Sequence, residues 1–221
     1  MNHLIGATLL ASLVILLLGY FLGCLNGSVM VSHFIIKDDV RQHGSGNAGL
    51  TNFYRTYGAK YALLVIACDM GKTVAACLLG SFFFRCLGWD GTLGTLLAGL
   101  GCELGHIFPV FYGFRGGKGI LSGGTLVLLL NWRVAAVAWA LFLLLWLTTR
   151  YVSLASITAT CSAPITVYFV YGHNWLYTGL CLAVAALVVW CHRENIQRLL
   201  HGTEKKFKWH VNPTEGKEPP K

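Results

Sequence analysis

The segment 105–119, GHIFPVFYGFRGGKG, combines cations with glycines in a way that suits an anionic ligand. Glycine permits positive φ and a close approach of the backbone, so successive N–H groups can converge on a negative charge. The loop therefore indicates a phosphate or carboxylate site. A tight turn between helices with basic anchors is the alternative, and this segment alone leaves both open. The residues concerned are Arg115, Gly116, Gly117, Lys118 and Gly119.

A second polar loop, 41–58, reads RQHGSGNAGLTNFYRTYG. Its GSGNAG matches the dinucleotide fingerprint, but that fingerprint needs a preceding strand and a βαβ unit, whereas the flanks here are apolar and helical. Nor is GFRGGKG a Walker A loop, because Gly119 follows Lys118 where Ser or Thr is required. A capped surface loop is the alternative, since Ser, Thr and Asn favour helix caps and turns. The candidate anion ligands are Ser45, Asn47, Thr51, Asn52 and Arg55.

Two more polar clusters follow long apolar segments. The loop 149–156 carries Arg150, and its Ser153 is predicted at the start of a helix, where unsatisfied N–H groups favour an anion. The segment 192–206, HRENIQRLLHGTEKK, has apolar residues at helical spacing and predicts an amphipathic helix at the membrane interface. Simple anchoring to lipid headgroups is the alternative for Arg193 and Arg198.

Charged residues also stand inside apolar segments. Asp69 and Lys72 are three positions apart, as are Glu103 and His106, so each pair shares a helix face. An unpaired charge at the bilayer centre costs about 2.5–3.5 kcal/mol on insertion scales. We therefore expect a structural Asp69–Lys72 pair that faces the bundle interior, with a direct contact to substrate as the alternative. We also expect a hydrogen bond between Glu103 and His106.

The elements that carry these clusters are membrane helices. Of the 221 residues 55% are hydrophobic and only 12% are charged, with a mean hydropathy of +0.60. The eight cysteines form no CxxC, so neither a zinc site nor a disulfide framework is predicted. The fold class is all-α, a polytopic bundle of about seven transmembrane helices, although the fourth segment is short of the roughly 20 residues that a span needs. The apolar segments are 4–25, 61–82, 92–112, 118–130, 134–149, 153–171 and 175–191.

The loop cations predict the orientation of the bundle. With these segments, 14 of the 17 Lys and Arg residues fall in alternate loops and the C-terminal segment, whereas the opposite loops hold only Arg85 and Arg133. The positive-inside rule then places the N-terminus outside and the C-terminus in the cytoplasm. All four polar clusters are thereby predicted on the cytoplasmic side. A transporter needs access from both sides, so this one-sided placement favours an enzyme.

Four blocks of the sequence, taken together, resemble the bacterial membrane acyltransferases that make lysophosphatidic acid from acyl phosphate and glycerol 3-phosphate. They are HGSGNAGLTN (43–52), GHIFPVFYGFRGGKG (105–119), TRYVSLASI (149–157) and HRENIQRLLHGTE (192–204). The resemblance implies a seven-helix bundle in the bacterial plasma membrane, with its active site toward the cytoplasm. The membrane-embedded domain is predicted over 1–206, and the polar, Pro-containing segment 207–221 is predicted from its composition to be a disordered cytoplasmic tail.

The resemblance also implies the participants in the reaction. The partners are glycerol 3-phosphate, acyl phosphate, membrane lipids and an enzyme at the membrane surface that produces acyl phosphate; no nucleic acid, cofactor or metal is expected. The implied catalytic residues are Arg55, Lys118, Ser153, His192 and Asn195. The implied substrate-binding residues are Ser45, Gly46, Asn47, Thr51, Asn52, Gly116, Gly117, Gly119 and Arg150.

Two alternative functions remain at this point. A transporter of phosphorylated solutes could carry the same cationic loops. An acyltransferase could instead use acyl-CoA or acyl carrier protein as the donor, although no segment looks like a docking module for either.

Overall fold

The structure, a computed structural model, describes residues 2–208, with side chains from Ile5 onward, and this part of the chain contains helices and no strand. An all-α fold is therefore confirmed. A π-helical turn, Val31–Ile36, and two 3₁₀ turns, Val40–Gln42 and Val110–Tyr112, supplement the α-helices. These are α1 (Asn2–Gly23), α2 (Gly27–Met30), α3 (Leu50–Tyr57), α4 (Ala62–Cys86), α5 (Gly91–Ile107), α6 (Ile120–Leu130), α7 (Trp132–Thr149), α8 (Val152–Val170), α9 (Trp175–Cys191) and α10 (Arg193–Leu200).

Each of the seven predicted apolar segments coincides with a helix: α1, α4, α5, α6, α7, α8 and α9. Within residues 2–208, five helical stretches are long and apolar enough to cross a membrane, and α9 with α10, joined at a 59° bend, would make a sixth. With 11 residues, α6 is only about 16 Å long, against about 30 Å of hydrocarbon. The chain is a multi-pass membrane protein, while the count of seven spans and the orientation of the termini stay predictions.

The first of two compact units extends to Ser122. Its centre is α5, which packs against both α1 and α4. A Cβ atom added at Gly101 or Gly105 would overlap a carbonyl oxygen of α1, and one at Gly94 would overlap the carbonyl of Gly80 in α4. Small residues thus bring these backbones together, as is common where helices associate in membranes.

The second unit begins at Gly123, within α6, and stacks α7, α8 and α9 in chain order, with α10 against α8 and α9. Arg150 ends α7 in the left-handed conformation (φ 63°). Its carbonyl accepts a hydrogen bond of 2.8 Å from the Phe207 amide. The Phe207 ring lies 5.3 Å from that of Trp146. Apart from Phe207 and Lys208, the predicted tail 207–221 lies outside the described residues.

One of the two predicted charge pairs is confirmed and the other is wrong. Lys72 Nζ lies 2.8 Å from Asp69 Oδ1, and both side chains are buried. Glu103 does not bond to His106, and Lys72 of α4 instead lies 2.8 Å from His106 Nδ1. Neither carboxylate oxygen of Glu103 has a hydrogen-bond partner among the described residues. A shared helix face therefore did not determine which neighbour each side chain meets.

Candidate active site

The predicted loop between the first two long helices is shaped by Asn52 of α3. Its Nδ2 donates to the carbonyls of Val40 (3.2 Å) and His43 (3.0 Å), and its Oδ1 accepts from the Ser45 amide at 2.9 Å. Gly44 has φ +61°, and a Cβ atom there would overlap Asn52 Oδ1. Asn52 thus holds residues 40–45, which we call the first loop, and its predicted contact with substrate stays a prediction.

Two acidic residues anchor the first loop from its N-terminal side. His43 Nε2 lies 2.9 Å from Asp38 Oδ2, and Arg41 donates to Asp39 and, through Nη1, to the Tyr112 carbonyl at 2.8 Å. Burial raises the pKa of Asp38, but hydrogen bonds, that from His43 foremost, outweigh it and hold the pKa below its usual value. Hydrogen bonds from the Arg41 side chain likewise lower the pKa of Asp39. The loop is therefore tied down by charged groups that stay ionised near neutral pH.

The glycine loop, residues 115–119, folds back on the end of α5 through its backbone. The Gly116 amide donates to the Ile107 carbonyl (3.1 Å), and the Gly117 amide donates to the His106 carbonyl (3.0 Å). The Gly116 carbonyl accepts from the Ala48 amide at 3.2 Å. The structure thus joins the segment 43–49 to the glycine loop, and brings the first two predicted clusters together.

Lys118 stands between two buried glycines directly before α6. Gly119 has φ +80°, and a Cβ atom there would overlap Glu103 Oε2, so that both conformation and space require glycine. Having no side chain, Gly119 cannot provide a side-chain acceptor to the N-terminal amides of the helix that follows it. A cation beside the N-terminal amides of a helix is an arrangement that binds anions, phosphate above all.

Glu204 organises the polar cluster of the second unit. Its Oε1 accepts from Ser153 Oγ (2.8 Å) and Asn195 Nδ2 (2.7 Å), and its Oε2 accepts from Arg198 Nε (2.7 Å). Burial raises the pKa of Glu204, but the hydrogen bonds from Asn195, Arg198 and Ser153 outweigh it and lower the pKa below its usual value. The predicted residues Ser153, in the first turn of α8, and Asn195 are therefore brought together by a third side chain.

His192 joins α9 to α10 and is 4% exposed. Its Nδ1 lies 2.8 Å from the Val188 carbonyl. A carbonyl only accepts hydrogen bonds, so Nδ1 carries the proton and Nε2 is the basic nitrogen of the neutral ring. Arg150 is exposed at the end of α7. Its place in a substrate site stays a prediction.

Two residues of these clusters escaped the sequence-based prediction. Glu204 is the only acidic residue in 195–208, a stretch with four cations. A single carboxylate among cations was the one sequence feature that could have indicated its role. His106 was interpreted as a partner of Glu103, yet a Cβ atom added at Gly117 would overlap its Nε2. The spacing within α5 carried no information about that contact.

Comparison with known proteins identifies the family of this chain. Residues 13–202 match the family described as glycerol-3-phosphate acyltransferase. The chain belongs to this family. It is 39% identical over 189 residues to the glycerol-3-phosphate acyltransferase of Finegoldia magna (85% of this chain, 92% of the relative). It is 38% identical over 193 residues to that of Syntrophomonas wolfei (87% of this chain, 95% of the relative).

Two solved structures share the fold of this glycerol-3-phosphate acyltransferase family member. One is the glycerol 3-phosphate form of PlsY, an integral membrane glycerol 3-phosphate acyltransferase, with a TM-score of 0.78 and 37% identity over 89% of this chain and 96% of that chain. The other is its lysophosphatidic acid form, with a TM-score of 0.76 and 36% identity over 89% of this chain and 95% of that chain. The protein is therefore an integral membrane acyltransferase, and sequence analysis identified its family correctly.

Proposed function

We propose that the protein transfers an acyl group from an acyl phosphate to the sn-1 hydroxyl of glycerol 3-phosphate in the bacterial plasma membrane. The products are lysophosphatidic acid and inorganic phosphate. The observation that carries this proposal is the placement of Lys118 between buried glycines at the start of α6, in a loop whose Gly116 carbonyl accepts a hydrogen bond from the Ala48 amide of the segment 43–49. The solved glycerol 3-phosphate form of a relative supports the choice of acceptor.

The chemistry needs little beyond positioning. The sn-1 oxygen attacks the acyl carbon, the bond from that carbon to the phosphate oxygen breaks, and phosphate leaves with the electron pair. Because the donor is already activated, no covalent enzyme intermediate is required. The protein must hold two mutually repelling phosphates and orient the hydroxyl, and effective molarities of about 10⁵–10⁸ M show how much orientation alone can contribute.

The residues of the first unit suit that task. Lys118 and Arg55 supply positive charge, and the Arg guanidinium can bind a phosphate through two parallel hydrogen bonds. Amides of the glycine loop, with Ser45, Gly46, Asn47 and Thr51, are the proposed donors to phosphate oxygens and to the oxyanion. One well-placed oxyanion donor is worth about 2.7–4 kcal/mol.

We assign Arg150, Ser153, His192 and Asn195 to the same reaction through the family resemblance of their sequence blocks. The proton of the attacking hydroxyl has two possible acceptors, His192 and the phosphate of glycerol 3-phosphate, whose second pKa is near 6 as in other phosphate monoesters. We propose the phosphate, since an activated donor tolerates a weak base. An enzyme at the membrane surface that makes acyl phosphate is the proposed partner.

The test is an assay of purified protein in lipid nanodiscs with labelled glycerol 3-phosphate. With acyl phosphate we expect labelled lysophosphatidic acid and one inorganic phosphate per turnover, and with acyl-CoA or acyl carrier protein at the same concentration we expect neither. EDTA should not reduce the rate. Equal turnover with a thioester donor would contradict the proposed donor, and no product from any donor would contradict the proposed function.

A further inference from the structure

Three buried polar side chains, Asp69, Lys72 and His106, form a contiguous set that the reaction as described does not use. They are 1%, 6% and 3% exposed, respectively. Lys72 Nζ lies 2.8 Å from Asp69 Oδ1 and 2.8 Å from His106 Nδ1. We call these residues the buried triad.

The triad also stabilises the break after α1. Lys72 Nζ donates to the carbonyls of Gly23 and Leu25, at 3.0 Å each, and Asp69 Oδ1 accepts from the Gly27 amide at 3.0 Å. Buried polar groups are otherwise costly, because no water compensates for an unsatisfied carbonyl or charge. These contacts account for Asp69 and Lys72, but they do not account for His106.

Lys72 determines the tautomer of His106. A lysine ammonium has no lone pair and can only donate, so Lys72 shares its three hydrogens among four acceptors, of which His106 Nδ1 is one. Asp69 Oδ1 is 3.6 Å from Nδ1, too far for a hydrogen bond. Nδ1 is therefore the unprotonated nitrogen, and the ring proton is on Nε2.

His106 Nε2 points into the glycine loop. The imidazole fills the place that a side chain at position 117 would occupy, since a Cβ atom added to Gly117 would overlap Nε2. The His106 carbonyl accepts from the Gly117 amide at 3.0 Å. Ring and backbone of one residue thus hold the residue that immediately precedes Lys118.

We propose that His106 is a positioning residue for phosphate binding, fixed as its Nε2–H tautomer by Lys72 and Asp69, and that it holds Gly117 so that Lys118 meets the substrate phosphate. The proposal rests on the proposed function, because it takes the glycine loop as the site of that phosphate. It predicts that damage to His106 weakens binding of glycerol 3-phosphate more than it slows turnover.

The test compares two amide substitutions. In His106→Gln the amide nitrogen can reach the Nε2 position, whereas in His106→Asn it reaches only the Nδ1 position. We expect His106→Asn, which leaves the space beside Gly117 unfilled, to raise KM for glycerol 3-phosphate by about 10- to 100-fold, the scale of effect that misplacement of a binding group produces, with kcat changed less. His106→Gln, which refills that space, should restore most of the loss. Thr73→Val is the control, because Thr73 lies buried beside Lys72 and bonds to the Asp69 carbonyl; its KM should stay at the wild-type value.

Equal effects of the two amides, or a fall in kcat alone, would overturn the positioning role. A second measurement avoids any risk of misfolding, since it uses wild-type protein labelled with ¹⁵N-histidine. Its NMR spectrum should show His106 as the neutral Nε2–H tautomer, with a shift when glycerol 3-phosphate is added without any acyl donor. An imidazolium, an Nδ1–H tautomer or no shift in protein that forms product would overturn the proposal. Absence of product from wild-type protein would instead count against the proposed function.

Discussion

The two polar clusters of this acyltransferase are built on different principles. In the first unit the glycine loop takes its shape from main-chain hydrogen bonds to Ile107, His106 and Ala48. In the second unit a single carboxylate, that of Glu204, gathers Ser153, Asn195 and Arg198 through their side chains. One cluster depends on backbone conformation and the other on a charge.

The difference predicts how each cluster responds to change. A backbone-built loop tolerates no added Cβ atom where glycine makes a close contact, whatever the side chain's chemistry. A cluster gathered by a carboxylate tolerates changes of size but should respond to protonation and to loss of the charge. Each prediction below tests one side of this comparison.

The largest effect is expected at the cation of the first cluster. Lys118→Ala should lower kcat/KM by about 10³-fold, since truncating one member of a desolvated charge pair costs several kcal/mol, and Arg55→Ala should be comparable. Lys118→Arg should restore only part of the activity, because the planar guanidinium of arginine is a poor substitute for the compact lysine ammonium in a loop of glycines. Arg115→Ala is the matched control, as it removes an exposed cation from the same loop. Equal losses in Lys118→Ala and Arg115→Ala would reduce Lys118 to a membrane anchor.

A smaller effect is expected from Gly117→Ala. The new Cβ atom would overlap His106 Nε2, and overpacking of this kind costs about 1–3 kcal/mol. We expect KM for glycerol 3-phosphate to rise by about 5- to 100-fold. Gly71→Ala, in the same unit and with nothing within 4 Å of its Cβ position, should leave the kinetics unchanged. If Gly117→Ala also had wild-type kinetics, the loop would be more adaptable than its backbone contacts indicate.

The same comparison explains which features were predictable from sequence. The helices, and the position of Ser153 at the start of α8, could be predicted, because the length of an apolar segment and the start of a helix are local properties of the chain. The Asp69–Lys72 pair was also predictable, since both residues lie on one face of one helix. The contact of His106 with Gly117 and the grouping around Glu204 were not, because they join residues whose proximity depends on tertiary folding. In both cases the missed partner belongs to another element.

In the second cluster, Glu204→Gln should reduce kcat/KM by about tenfold and stability by about 1.5–3 kcal/mol, the range for losing a hydrogen bond to a charged group. The pKa of Glu204 is lowered in the folded state, so its stabilisation is complete above the unfolded value near 4.3 and is lost as pH falls through the folded value. The melting temperature of wild type should therefore exceed that of Glu204→Gln at pH 7, and the two should converge as the pH falls below about 4.

The control is Glu194→Gln. The Glu194 side chain is 69% exposed, and its carboxylate lies 4.0 Å from the Arg198 guanidinium. It should behave as wild type at both pH values. If the difference between wild type and Glu204→Gln were the same at pH 7 and below pH 4, the cluster would not be organised by a charge.

The smallest effect on turnover is expected at His192, and it decides how the attacking hydroxyl loses its proton. The hydrogen bond from Nδ1 to the Val188 carbonyl leaves Nε2 as the basic nitrogen, so the ring is competent as a base. It is equally competent to orient the substrate, and the substrate phosphate can take the proton itself. His192→Gln keeps hydrogen-bonding capacity but cannot accept a proton near neutral pH.

If the substrate phosphate is the base, His192→Gln should lower kcat by less than about tenfold and mainly raise KM, whereas loss of a general base lowers rates by about 10²–10⁴. The chain offers a close control in His201→Gln, because the Nδ1 atom of this exposed histidine lies 2.7 Å from the Gln197 carbonyl, also four residues earlier. That variant should match wild type in both constants. If turnover fell by about a hundredfold or more in His192→Gln alone, His192 would be the base. The cluster of the second unit would then contain a group that takes part in the chemical step, as Lys118 is proposed to do in the first unit, and would do more than orient the substrate.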